Sequence, residues 1–184
     1  MADIAHANRI EPLSGRVGGA AGVSLTPAGA AYRVSLRVDP AAAKTVSKKL
    51  GLELPMTPKT SVQNDKGRLA AWLGPDEWLI IDENADPLKD LEKITTLHSA
   101  VDISHRNTAV LVSGNGARAT VQSGCPQNLS DRVFPVGSAT RTVMGKIEVV
   151  IIRTGEDDYR VECWRSFSDY AFILLSEAAR DCLA

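Results

Sequence analysis

Cysteine, aromatic residues and unbalanced charge are all scarce in this chain. Its three cysteines, Cys125, Cys163 and Cys182, are odd in number, widely spaced and never arranged as CxxC. That argues against a disulfide framework or a cysteine-based zinc site and fits a reducing compartment. Lys and Arg total 21 against 22 for Asp and Glu, so there is no net field to hold a polyanion, and nucleic acid is disfavoured as the main partner. No apolar run reaches the length of a membrane span. The first residues, MADIAHANRIEPLSG, lack a basic segment followed by an apolar one. Together these absences predict a soluble, cytoplasmic protein with neither a membrane nor a nucleic-acid partner.

What is present is a core and a repeat. With 184 residues, 44% of them apolar, the chain can bury most of its apolar surface in one domain. Two sibling blocks, RVSLRVDPAAAKTVSKKLGLELP from Arg33 and TAVLVSGNGARATVQSGCPQNLS from Thr108, lie about 75 residues apart, the sign of one domain built from two related halves. Each half runs on to a second matching landmark, LGPDEWLII from Leu73 and RTGEDDYRVE from Arg153. Residues 1–30, rich in Gly and Ala without a period, read as a flexible or partner-docking arm ahead of a single domain at 31–184.

Along the first half, Tyr32, Val34, Leu36 and Val38 alternate with polar residues as in a half-buried strand. Asp39-Pro40 then starts a helix that Gly51 closes. Asp65-Lys66-Gly67 predicts a hairpin, Gly74-Pro75-Asp76 a second turn, and 87–97 a helix leading to the strand around Val101. The second half repeats the plan, with a strand at 108–113, a helix at 115–123, a hairpin turning at Met144-Gly145, the strand YRVECW and a final helix at 166–182. Ser166 and Asp169 suggest a capping box there, with Phe167, Tyr170, Leu174 and Ala178 on one face. Strands and helices with local hairpins point to an α+β fold, its largely antiparallel sheet split between two related strand-helix-strand halves.

Candidate chemistry is thin. The G-x-G-x-x-A run at Gly114 superficially matches a dinucleotide fingerprint, but its helix is short and no parallel strand with a terminal acid follows, so it reads as a tight turn into a helix. Asp102, Ser104 and His105 bring three catalytic residue types together in DISH. Neighbours on a strand face alternate sides and cannot form a relay, so His105 reads as a capping or packing residue. No cluster has metal-ligand spacing. Trp72, Trp78 and Trp164 flank strands, as core residues or as anchors of a subunit interface. The run from Tyr170 to Leu175 is apolar nearly all round, as in a helix covered on two sides by its own sheet and by another chain.

The consecutive blocks LGPDEWL, DISH, GCP, FPVG and RSFSDY, in that order, closely resemble the gamma subunit family of heterotetrameric sarcosine oxidases over residues 33–175. The resemblance implies a complex in which an alpha chain holds dinucleotide and folate sites, a beta chain holds flavin and a delta chain holds zinc, so that FAD, FMN, NAD, tetrahydrofolate and zinc belong to the partners. Such a complex oxidatively demethylates sarcosine to glycine with oxygen and tetrahydrofolate. The gamma chain carries no cofactor and shares the fold of the folate-binding domain of aminomethyltransferases such as the T-protein. Where those relatives place an acidic pair, in G-G-I-V-D-D-L-I-V-T, this chain has Val149 and Val150, which cannot accept a hydrogen bond or move a proton. Glu148 lies beside them, on the face opposite Val149 and shared with Val150.

The resulting expectation is a structural gamma subunit with no catalytic, cofactor or metal residue of its own. It would dock chiefly on the alpha chain, with Trp72, Trp78, Tyr170 and Phe172 as interface candidates. The alternative is a free-standing tetrahydrofolate-binding protein or one-carbon transferase using Glu148 or Asp102. A third reading is a scaffold for another amine-oxidising complex, acting on dimethylglycine or an N-methyl amino acid.

Overall fold

Short alternating runs closed by Gly turns lead this chain to make hairpins, and the hairpins assemble into two sheets. A computed structural model describes residues 11–182. Strands β1 (Gly18–Ala20), β2 (Val23–Pro27) and β3 (Tyr32–Val38) precede helix α1 (Ala43–Leu50), which is followed by β4 (Ser61–Gln63), β5 (Leu69–Gly74), β6 (Glu77–Asp82) and helix α2 (Leu88–Leu91). The rest comprises β7 (His98–Asp102), β8 (Asn107–Ser113), α3 (Ala117–Gly124), β9 (Ala139–Met144), β10 (Ile147–Arg153), β11 (Asp158–Trp164) and α4 (Ser168–Asp181).

The expected repeat is visible strand by strand. One sheet runs β4-β5-β6-β3-β7 and the other β9-β10-β11-β8-β2-β1, every pairing antiparallel. Reading the two orders together makes β4 the twin of β9, β5 of β10, β6 of β11, β3 of β8 and β7 of β2. The two landmark motifs fall on the twin turns β5–β6 and β10–β11. The outer twin in each sheet comes from the other half of the chain: β2, which leads into β3, pairs with β8, and β7, which leads into β8, pairs with β3. Each half therefore completes the sheet of the other.

Local chemistry explains the elements. The Asp39 side chain accepts from Ala41 N at 2.8 Å to start a 3-10 turn that leads into α1, and Gly51, at φ 64°, closes the helix in the left-handed region where a side chain would be strained. Each sheet packs helices on its outer face, with Val46, Leu50, Trp78 and Ile80 in the smaller core and Val112, Val121, Tyr159, Val161 and Leu175 in the larger. A third cluster, Leu69, Ala71, Leu79 and Ile81 against Ala139, Val150 and Ile152, seals the sheets together. Arg141 adds a bidentate clasp on Glu77, both contacts at 3.0 Å, which raises the Arg141 pKa.

Four expectations need correction. The arm predicted for 1–30 is structured over β1 and β2, where Val23 and Leu25 are buried against the larger core; the alternation VSLTP is a strand signal only five residues long. Residues 1–10 of that arm lie outside the described residues. The helix predicted for 87–97 stops after Leu91, because the β-branched run Ile94, Thr95 and Thr96 disfavours further turns. No capping box forms: Ser166 lies in a 3-10 turn, and Ser168 Oγ donates to Arg165 O at 2.8 Å instead. The buried face of α4 is also rotated from the expected one. Ala171, Phe172, Leu175, Ala178 and Ala179 face the sheet while Phe167 and Tyr170 are exposed, because the small alanines allow the closest approach.

Candidate functional site

Alternation along β11 sends Tyr159, Val161 and Cys163 into the larger core and Arg160 and Glu162 towards the other sheet. There they meet Arg33 of β3 and Glu83, just past β6. Arg33 Nε donates to Glu162 Oε2 at 2.7 Å, Arg160 Nε to Glu162 Oε1 at 2.8 Å, and Arg160 Nη1 to Glu83 Oε1 at 2.9 Å. Arg33 and Glu162 are each 1% exposed. Burial works against the charge on Arg160, but Glu162 and Glu83 outweigh it and push its pKa up. Beside the network, burial and the neighbouring Glu162 push the Cys163 thiol up to about 12, so it holds no nucleophilic thiolate near neutrality. The network and the apolar seal together occupy the space between the sheets.

The residues of DISH tie the crossing from one sheet to the other. Ser104 N donates to Asp102 Oδ1 at 2.8 Å, Ser104 Oγ donates to the same oxygen at 2.5 Å, and Arg33 N donates to Ser104 Oγ at 2.8 Å. Asp102 and Ser104 thus make an Asx-type turn that fixes the chain. His105 is exposed rather than packed, which corrects the packing role expected of it. At Gly114, φ is 114° and a Cβ would lie 2.2 Å from Gly22 O. Gly116 N donates to that carbonyl at 3.3 Å. The glycine pattern therefore lets the β1–β2 hairpin approach α3, as a tight turn should.

At the positions where the T-protein pattern has acids, Val149 points into the larger core and Val150 into the seal between the sheets, at 2% and 8% exposure. Glu148 is exposed at the end of the sheet. The register carries Trp164, Glu148 and Val143 across neighbouring strands on one face, and both Trp164 and Val143 are exposed.

Two of the four interface candidates are core residues. Trp78 is fully buried and its Nε1 donates to Pro55 O at 2.7 Å, while Phe172 is buried beneath Gly18. On strand β6 and on the sheet side of α4, neither ring reaches the surface. Trp72 is half-buried against the smaller core, and exposed Tyr170 accepts from Lys146 N at 3.3 Å. The four candidates leave out the rest of the exposed band beside Tyr170, although Trp164 and the run from Tyr170 to Leu175 read as candidate contacts with another chain. Trp164 stacks on Phe167 with ring centroids 6.0 Å apart, Arg106 lies 5.1 Å over the Trp164 ring, and Ile173 continues the line. Its signal was available as spacing, since Trp164, Phe167, Tyr170 and Ile173 recur every third residue.

Among the described residues no group of His, Cys, Asp and Glu is arranged to hold a metal ion, and no helix is long and apolar enough to cross a membrane. Comparison with known proteins bears on this arrangement. Residues 35–181 match the model of the sarcosine oxidase, gamma subunit family. Sarcosine oxidase subunit gamma of Corynebacterium sp. (strain U-96) is 29% identical over 70% of this chain, and that of Arthrobacter sp. is 30% identical over 71%. The matched stretch spans 64% and 67% of those relatives' own lengths. A chain of the heterotetrameric sarcosine oxidase from Corynebacterium sp. U-96, solved in complex with pyrrole 2-carboxylate, superposes with a TM-score of 0.82 and 26% identity, covering 88% of this chain and 86% of that one. The glycine cleavage system aminomethyltransferase T from Bartonella henselae shares the fold, with a TM-score of 0.65 and 14% identity over 87% of this chain and 49% of that one. The chain belongs to the sarcosine oxidase gamma subunit family.

Proposed function

We propose that this chain is a structural, non-catalytic subunit of a cytoplasmic complex that oxidatively demethylates sarcosine to glycine with oxygen and tetrahydrofolate. In this reading the alpha, beta and delta partners hold the dinucleotide, flavin, folate and zinc groups, and the chain docks chiefly on alpha. The observation that carries the assembly role is the band of Trp164, Phe167, Tyr170 and Ile173, large apolar side chains left exposed just before and along the first turns of α4 while the other side of the helix packs on its own sheet. Large aromatic side chains kept at a surface are the usual anchors of a subunit interface. Trp72 and Tyr170, which keep part of their rings accessible, remain candidates for the same role. The buried Val149 and Val150 support a chain that supplies no acid or base.

The test is co-expression of the tagged chain with candidate partner subunits, followed by pull-down and an assay of sarcosine-dependent peroxide with and without it. Stoichiometric capture, loss of activity when the chain is omitted, and no tetrahydrofolate bound by the free chain are expected. Trp164→Ala should weaken capture on the order of 30-fold while leaving the melting temperature in place. A free chain that binds tetrahydrofolate saturably, and loses it in Glu148→Gln, would overturn the reading.

A further inference from the structure

In the larger sheet the donated strand β2 has both edges paired, with β8 on one side and β1 on the other through Gly18↔Leu25, Gly19↔Ser24 and Ala20↔Val23. Its twin β7 has only one. It pairs with β3 from Val34↔Asp102 to Val38↔His98, and its outer edge meets no strand among the described residues. Ile103 N donates to Arg33 O at 2.9 Å, which marks that position as hydrogen-bonded to β3. Alternation then turns the N–H and C=O groups of Ser99 and Val101 towards β3, and those of His98 and Ala100 outwards.

An open edge is ordinarily blunted by a lysine, a proline or a bulge. β7 contains no lysine or proline, its register with β3 is unbroken, and the carboxylate of its last residue, Asp102, is turned onto Ser104. Exposed apolar side chains flank the edge instead: Leu97 is 91% exposed and Val101 53%. Ser99 and Val101 share one face, so a strand laid alongside would set one of its own alternate residues against Val101.

We propose that the outer edge of β7 accepts an extended segment of a partner subunit as a sixth strand of the smaller sheet, with an apolar residue of that segment set against Val101. This rests on the subunit role proposed above and names the contact that role would use. Main-chain hydrogen bonds supply the affinity, and the contact with Val101 supplies the specificity.

Hydrogen–deuterium exchange on the full chain, free and in the co-purified complex, tests it together with two variants. The amides of His98 and Ala100 should exchange fast in the free chain and at least 10-fold more slowly in the complex. Ala100→Pro removes an outward donor without touching the β3 ladder, and Val101→Lys replaces the exposed apolar side chain with a charge. Each should cut partner capture more than 10-fold with the melting temperature held within a few degrees. Wild-type chain that partners fail to capture would overturn the subunit reading and this contact with it. Normal capture with unprotected edge amides and full-strength Ala100→Pro binding would overturn the edge assignment alone. Protection that rises with the concentration of the free chain, partners absent, would give the edge to a second copy and overturn its assignment to a partner.

Discussion

The two sheets share one strand order, yet they are finished differently. The larger sheet has the 14-residue helix α4, the β1–β2 hairpin over its outer edge, and a core of 21 buried side chains against 13 in the smaller. The smaller sheet makes do with α1, the single turn of α2 and an uncovered edge. A duplicated plan should give twin halves of equal stability. The excess packing and the spare α4 surface on one side, and the bare edge on the other, show that the halves have been specialised away from symmetry. The smaller core also depends more on each member, because fewer side chains share its burial.

The largest effect expected from that contrast is at Trp78. Trp78→Ala should cost about 4–5 kcal/mol, since it opens a cavity in the smaller core and orphans the Pro55 carbonyl. Urea denaturation measures it, and a loss below about 2 kcal/mol would show that the smaller core has slack. Next comes the network between the sheets. Glu162→Gln leaves Arg33 and Arg160 buried without their shared carboxylate and should cost about 3–4 kcal/mol. Replacing Arg33, Arg160 and Glu162 together with apolar residues should recover most of that loss, measured against the single variants.

Acid should act on the smaller sheet through Asp82 and Asp90. Burial opposes the charge on Asp82 and Asp90, but Arg68, which donates to Asp82 Oδ2 at 2.7 Å and Asp90 Oδ2 at 2.9 Å, holds both carboxyls below the ordinary 3.8. With folded values below unfolded ones, the unfolded chain takes up protons first as pH falls. This contribution is therefore complete above about pH 5 and is lost as pH drops through the folded values. Asp82→Asn should lower stability at neutral pH and flatten the acid limb, read from urea midpoints across that range.

The smallest effect belongs to the larger core. The Tyr159 hydroxyl is buried without a hydrogen-bond partner among the described residues, so Tyr159→Phe removes an unmet polar group and should change stability by less than about 0.5 kcal/mol, in either direction. A larger loss would reveal an ordered water at that hydroxyl.

Much of this was legible in the sequence where local rules act alone. Asp39-Pro40 and Gly51 bound α1 on both sides, and the Asp65-Lys66-Gly67 and Gly74-Pro75-Asp76 turns lie where turn chemistry put them. Long-range effects were less accessible. Val23 and Leu25 are too short a pattern to reveal a strand until β8, far along the chain, offers them an edge. Trp78 and Trp164 are the same residue type on strands of similar pattern, and only the packing decides that one is core and the other exposed. The pairing of Arg33 with Glu162 joins residues from different halves, and no local rule announces it.

The crossed donation of β2 and β7 also has a consequence in time. On a ribosome β2 is made early, but Ser24 meets Ser113, 89 residues later. At a synthesis rate of about 5–20 residues per second that wait lasts roughly 4–18 s. During it the nascent β1–β2 hairpin has an apolar face and no sheet to join. The smaller sheet, whose five strands all lie between Tyr32 and Asp102, can close first, while the larger sheet waits for β8 to β11 and leaves that hairpin uncovered for the interval.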